Sequence, residues 1–480
     1  MKKRITSLIL AVVITLMPFL FVPCVLLGTG VQYGETYYAA LPKQYDRLRS
    51  VNEPKVIVVG GSNVAFGLDS ELFENLYGRP SVAFGLYGSF GVKVMMDWSK
   101  ANINRGDIIV LAPELSTDAL SLYFGAESVL KATESRWDIL SKIAFDNVGD
   151  IIAASWGFAT TKLKKNRLDE KFDIEGVYRN SAVNSYGEID KELFPREGNI
   201  LATGYLSEPV SYDVSHVSDE FIDYVNDYVR YCKMRGATVY YSFSPVNNRA
   251  VNPLTIQEDT EAYYAYLVQN LYCEVISDPN NYIYDYRYFY DTNFHLNDSG
   301  VILRTAQLVR DLKLANGDTS PTIVDLPDPP KSQYKHRDVD FTLPYTNPEW
   351  FIYEETEDGY LAITGVKEEV KALKEVLVPI VYDNRFVTSL KAGAFKDCVN
   401  LETVTIPVGI TQIDNAVFEG CNALQKIRIL EKSQDNVAVF DYFLKGVPDS
   451  CKIVLVNAMV SDFGTGYFWS KYVDRLIKEN

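Results

Sequence analysis

The chain has 480 residues, 47% hydrophobic and 23% charged, with 29 Gly and 20 Pro. That composition is ordinary for globular protein and excludes a mostly disordered, collagenous or coiled-coil chain. Lys plus Arg number 47 against 63 Asp plus Glu, a net charge of −16, which excludes nucleic acid as an expected partner because phosphate binding needs a basic footprint. Six Cys stand at 24, 232, 273, 398, 421 and 451, with no CxxC pair. Neither a disulfide framework nor a zinc site is expected from them. The 33 Tyr suit strand packing and also suit a protein that handles sugars.

No charged residue stands between Arg4 and Glu35, and the run ILAVVITLMPFLFVPCVLLG (Ile9–Gly28) is about the length a helix needs to cross a bilayer. It exceeds the core of a signal peptide, and no small-x-small cleavage site follows it. Lys2, Lys3 and Arg4 precede it, so the positive-inside rule keeps the N-terminus cytoplasmic and exports the rest. Residues 1–35 are therefore read as a cytoplasmic stub with a single-pass anchor. Pro18 and Pro23 kink such a helix without forbidding it.

From Lys55 an α/β rhythm begins. KVIVVGG reads as a buried strand closed by glycines, LDSELFENLYG as a helix capped by Asp69 or Ser70 and stopped at Gly78. SVAFGLYG, GVKVMMDWSKANINRG and DIIVLAPEL read as strand, helix and strand. FIDYVNDYVRYCKMRG then reads as an amphipathic helix, and ATVYYSFSP as a strand. This alternation predicts a parallel sheet covered on both faces, with ligands bound beyond the carboxyl ends of its strands.

Residues just after strands therefore carry the chemistry. Ser62, in VIVVGGSNVAFG, either faces a ligand at the sheet edge or simply closes a Gly-Ser turn; the segment lacks the lysine and spacing of a P-loop and fits no GxGxxG. His295 lies in YFYDTNFHLNDSG, before a helix capped by Asn297, Asp298 or Ser299, with Asp291 four residues upstream. A serine after the first strand, with an aspartate and a histidine before the last helix, satisfies triad logic: nucleophile, base and orienter. NYIYDYRYFYD places Tyr282, 284, 286, 288 and 290 at period two, one face of a strand, either packed inward or offering a sugar-stacking surface. Ser244, Asn247 and Asn248 follow another strand and serve as turn formers or pocket lining.

DTSPTIVDLPDPP reads as an acidic, proline-rich linker. Beyond it, AFKDCVNLETVTI (394–406) realigns with VFEGCNALQKIRI (417–429) at an offset of 23 residues, Cys398 on Cys421 and Phe395 on Phe418. LKEVLVP (373–379) is a looser copy. Such a period indicates a solenoid, with the matched cysteines as small core residues.

Two resemblances follow. Over roughly residues 50–315 the sequence resembles the SGNH (GDSL-like) hydrolase superfamily. GGSN stands where that family has its GDS block, which implies Ser62 as nucleophile. VAFGLYG resembles the second block, with Gly85 as a backbone oxyanion donor beside Ser62. DTNFHLN resembles the last block, with His295 and Asp291. More closely, the segment resembles exported bacterial SGNH-like proteins related to surface-glycan acyl-modifying factors. The resemblance implies a three-layer α/β/α domain and O-acyl esterase or acyltransferase chemistry on a cell-surface glycan, without metal or organic cofactor. Transfer would add a membrane acyl-donor protein as partner. The third block departs: LAPELS has Glu114 where the family has an Asn donor, and loss of such a donor costs about 3–4 kcal/mol in a hydrolase. Asn63 is the candidate replacement. Thr292 stands three before His295, so Asp291 or Asp285 completes the triad. Glu114, Asn247 and Tyr290 are the remaining candidates for substrate contact.

GAFKDCVNLETVTIP and AVFEGCNALQKIRI resemble BspA-type leucine-rich repeats of bacterial surface proteins, which implies adhesion or a spacer role, and the ending VLVNAMVSDFGTGYFWSKYVDRLI resembles the cap of such an array. The expected organisation is an anchor (1–35), an SGNH-like α/β domain (36–316), a linker (317–345) and a short repeat solenoid (346–480). Two functions are expected from it: a surface O-acyl esterase or acyltransferase, or an inactive adhesion or glycan-binding protein that works through its repeats.

Overall fold

A computed structural model describes residues 25, 28–168, 176–196, 210–248, 250–251, 257–330, 339–356, 359–383, 385–440, 442–463 and 467–479. Among these residues no helix is long and apolar enough to cross a membrane. The expected anchor, Ile9–Gly28, lies outside the described residues apart from Val25 and Gly28.

The strands predicted after Lys55 form one parallel sheet: β1 (Val56–Gly60), β2 (Ser81–Phe84), β3 (Ile108–Ala112), β4 (Thr238–Tyr241) and β5 (Glu274–Val275). Their spatial order is β2-β1-β3-β4-β5, and every pairing is parallel. β1 and β3 are continuous apolar runs, VIVVG and IIVLA, buried at every position, as a sheet covered on both faces requires. Alternate residues divide between two cores. Ile57, Val59, Ile109 and Leu111 pack with Trp98 and Val229, which lie on helices Val92–Ser99 and Asp219–Met234. Val56, Val58 and Val110 face Phe73, Leu308 and Leu312, on helices Ser70–Tyr77 and Asp298–Ala315. The chain steps from β1 outward to β2 and returns past β1 to β3. The gap between the carboxyl ends of β1 and β3 is thus the switch point where doubly wound sheets bind ligands.

Local signals set the helix limits. Asp69 caps Ser70–Tyr77 by accepting from the Leu72 N–H, and Gly78 ends it at φ 78°, a conformation a side chain disfavours. Asn297 caps Asp298–Ala315 through the Gly300 N–H. At the amino end of the sheet, Lys55 Nζ bonds Asp107 Oδ2 at 2.8 Å, with both side chains fully buried.

Glu188 closes over the same helix start as Asp69. Its carboxyl accepts from the Ser70 N–H at 2.9 Å and the Ser70 hydroxyl at 3.0 Å, and burial pushes its pKa up to about 8. Between the ordinary glutamate value and pH 8 the folded chain retains a proton that the unfolded chain releases, so stability falls as pH rises through that window. Glu188→Gln is expected to flatten this dependence. Its Tm should drop less than that of the native chain between pH 5 and pH 8, and equal drops would show that Glu188 is not the source.

The tyrosine stretch departs from a single strand. Ile283–Tyr284 pairs with Val246–Asn247, and Tyr286–Tyr288 is a 3-10 turn. Asp285 caps that turn through the Arg287 N–H, which breaks the extended run. Tyr282, Tyr284, Tyr286 and Tyr288 are nevertheless all buried, so they pack inward and offer no sugar-stacking face.

The repeats wind into two sheets. Strands Glu375–Leu377, Thr403–Ile406, Lys426–Ile429, Lys452–Leu455 and Leu476–Lys478 pair in parallel sequence order. The last two overlap the two ends of the expected terminal cap, which thus continues the ladder. Val404, Ile406, Ile427 and Ile429 point into the core with Phe395, Phe418, Cys398 and Cys421. The Cys421 thiol donates to the Phe395 carbonyl at 3.1 Å, so the matched cysteines serve packing and local bonding.

Candidate functional site

Because Gly60 of β1 lies in register with Ala112 of β3, the residues two further along each strand, Ser62 and Glu114, emerge side by side. Ser62 Oγ donates to Glu114 Oε1 at 2.9 Å, and the Asn63 N–H donates to the same oxygen at 2.9 Å. Gly61 makes room for this carboxylate, since a Cβ there would sit 2.8 Å from Glu114 Oε1. Asn63 is fully buried; its Oδ1 accepts from the Gly61 N–H and its Nδ2 donates to the Ala112 carbonyl. The side-chain donor sought in Asn63 is therefore committed to holding the β1 turn against β3.

Gly85, just after β2, packs against the same turn. A Cβ at this position would lie 2.6 Å from the Gly61 carbonyl oxygen and 2.7 Å from that of Gly60, so any side chain would force the strand ends apart. Its carbonyl accepts from the Ala65 N–H and from Gln44 Nε2. Among the described residues, the backbone N–H groups of Ser62 and Gly85 have no hydrogen-bond acceptor. Two unengaged amides beside a serine hydroxyl suit an oxygen that acquires negative charge.

The second half of the site comes from the loop before the last helix. Asp291 Oδ1 bonds His295 Nδ1 at 2.8 Å, although the carboxylate stands four residues before the ring. The loop makes that reach possible: Tyr290 N–H donates to the His295 carbonyl, while Thr292 Oγ1 accepts from the N–H groups of Phe294 and His295. The remaining candidate, Asp285, is instead paired with Arg287. Tyr178 OH donates to Asp291 Oδ2 at 2.6 Å and lies 3.2 Å from His295 Nδ1. Burial, then the charge of Asp291, pushes the Tyr178 phenol well above its ordinary pKa, which keeps it a donor. Asp291 accepting from Nδ1–H leaves the Nε2 lone pair available, the form a general base needs.

Phe66 joins the halves. It follows Ser62 by one helical turn, and its ring stacks on His295 with centroids 3.9 Å apart and planes 6° apart. The Arg196 guanidinium lies over the same ring at 5.5 Å and pairs with Asp298. Ser62 and His295 are both buried, at 9% and 6% exposure. Among the described residues no hydrogen bond joins them; the partner of Ser62 Oγ is Glu114.

The other sequence candidates are set differently. Asn247 is fully buried, and its N–H donates to the Asn293 carbonyl, so it supports the histidine loop from beneath. Tyr290 is half-buried beside that loop. Phe66, Tyr178 and Tyr37, which packs edge-on against both, carry no mark in the sequence. Phe66 stands one helical turn after Ser62 but meets His295 only through tertiary contact, and Tyr178 and Tyr37 lie outside the motif segments and reach the site only that way. Among the described residues, no group of three or more His, Cys, Asp or Glu side chains is arranged to hold a metal ion.

A family profile described as "BspA type Leucine rich repeat region" matches residues 376–469 in six copies, more than the repeats visible by eye in the sequence. Among solved structures the chain is similar to the leucine-rich repeat protein of T. pallidum (TpLRR), at 23% identity over 24% of this chain and 65% of that one, with a TM-score of 0.18. It is also similar to a leucine-rich repeat protein from Bacteroides ovatus ATCC 8483, at 21% identity over 22% of this chain and 36% of the other, with a TM-score of 0.16. The chain thus spans less than two thirds of either structure's length. Nothing among the curated proteins matches.

Proposed function

We propose that this chain is a membrane-anchored, exported serine-dependent enzyme with an SGNH-like domain, acting as an O-acyl esterase or acyltransferase on a cell-surface glycan. The observation that carries this reading is the convergence at the β1/β3 switch point: Ser62 beside two unengaged amides, with the Asp291–His295 pair stacked on Phe66 one turn away. Ser62 is the nucleophile, His295 the base that takes its proton, Asp291 the orienter, and the Ser62 and Gly85 amides the oxyanion donors. The test is labelling of the full-length chain in detergent by a fluorophosphonate probe. Labelling that Ser62→Ala abolishes supports the reading; a folded native chain that stays unlabelled removes it.

Glu114 decides how ready the serine is. In the observed arrangement it holds the hydroxyl proton that His295 must receive, and it sets a carboxylate where negative charge develops. Glu114→Gln keeps the shape and the acceptor but removes the negative charge, so labelling is expected to accelerate roughly tenfold. A comparable fall in rate would instead make Glu114 the base of Ser62.

A second reading rests on the repeats. A groove of about 760 Å³ crosses the outer face of their sheet, lined by Thr403, Thr405, Lys426 and Arg428 among others. The repeat match and the Glu114 clamp on Ser62 favour a surface-binding role in which the α/β domain does not turn over. Glycan-array binding that survives Ser62→Ala and is lost in Lys426→Glu would favour it.

A further inference from the structure

The segment preceding β1 enters the site. Tyr37 begins a 3-10 turn, Tyr37–Ala40, and is 2% exposed. Its ring meets Phe66 at 6.0 Å and Tyr178 at 5.7 Å, edge-on in both cases. It thus touches the residue that stacks on His295 and the residue that bonds Asp291. The Tyr37 hydroxyl is nevertheless buried without a hydrogen-bond partner, a condition native proteins seldom tolerate without a reason. Glu114 and Asp291, one from each half of the site, are among the charges that act on it. Neither carboxylate accepts from it: Asp291 serves His295 and Tyr178, and Glu114 serves Ser62 and Asn63. Burial holds the phenol well above its ordinary pKa, so it remains an O–H.

We infer that Tyr37 is a further catalytic residue, whose hydroxyl donates to the carbonyl oxygen of an acyl ester as Ser62 adds to it; this rests on the ester reading above. The site lacks a third side-chain oxyanion donor, because Glu114 stands after β3 and the Asn63 side chain is engaged in the fold, and an unpartnered O–H fills that need. Ser62 Oγ bonds the acyl carbon and gives its proton to His295 Nε2. The carbonyl electron pair moves onto oxygen, held by Tyr37 O–H and the Ser62 and Gly85 N–H groups. On collapse the bond to the leaving alcohol oxygen breaks, and that oxygen takes the proton from His295.

The test compares the full-length native chain, Tyr37→Phe and Ser62→Ala in detergent, using p-nitrophenyl acetate turnover and thermal unfolding. Tyr37→Phe removes one oxygen that bonds nothing in the resting protein, so its Tm is expected to be unchanged or higher. Its kcat is expected to fall about 10²–10³-fold, the loss typical of one oxyanion donor, with KM little changed. Native-like kcat in Tyr37→Phe, beside a dead Ser62→Ala, overturns the role of Tyr37 alone. A fall in both kcat and Tm assigns Tyr37 to structure and also overturns it. Native turnover that Ser62→Ala does not reduce overturns the ester reading and this inference together.

Discussion

His295→Ala should lower ester turnover by roughly 10⁵–10⁶-fold in kcat, the scale on which triad members fail when one is removed. The ring brings a free nitrogen lone pair to the site, and its orientation is fixed twice: by the Nδ1–Asp291 bond at 2.8 Å and by the stack on Phe66. Asp291→Asn is expected to cost about 10⁴-fold, because an amide favours the wrong imidazole tautomer. With its NH2 turned to the ring, the amide oxygen still accepts from the Tyr178 hydroxyl, so the loss falls on the imidazole. Measured on one ester substrate, the two variants should rank in that order, with Ser62→Ala at least as low as His295→Ala. Asp291→Asn with native kcat would remove Asp291 from the triad. Unchanged turnover in His295→Ala would transfer the base role to Glu114, the present partner of the serine hydroxyl.

Asp107→Ala is expected to destabilise the chain by about 3–5 kcal/mol, the cost of leaving one half of a buried ion pair uncompensated. Both side chains are fully buried. Asp107 also accepts from the Lys55 and Asn104 N–H groups, so its loss strands an ammonium and two amides together where β1 and β3 begin. Against a total stability of about 5–15 kcal/mol for a domain, that is a large share. Replacing both partners with apolar residues, Lys55→Met with Asp107→Leu, should recover the part of the loss that comes from the buried charge, while the two amides stay without their acceptor. Urea unfolding of the full chain measures both. A single variant within about 1 kcal/mol of native would mean that water reaches Lys55.

The elements before the linker were legible because their signals are local. Two glycines after VIVV close β1, Asp69 and Gly78 bound a helix, and Asn297 starts the last one. The serine and histidine were legible for the same reason, each standing directly after a strand or before a cap. The tyrosine stretch misled because period two describes an inward-facing run whether or not it pairs as a strand, and a local Asp285 cap curled it into a turn. The repeats showed by eye only where their spacing held at 23 residues, although the ladder continues to Leu476–Lys478.

What the sequence by itself determined is the set of buried strands, their caps, the repeat period and the placing of Ser62 and His295 at strand and helix ends. Each of these follows from residues within about one helical turn, where periodicity and capping act. Only the tertiary structure decided that the Ser62 hydroxyl goes to Glu114, that the Asn63 amide is used up inside the fold, that Tyr178 meets His295 and that Tyr37 packs on Phe66 and Tyr178. The register of Gly60 with Ala112 brings the first pair together, and Tyr178 reaches His295 across 117 residues of chain. A contact of that kind depends on the packing of the whole domain, and no local pattern in the chain encodes it.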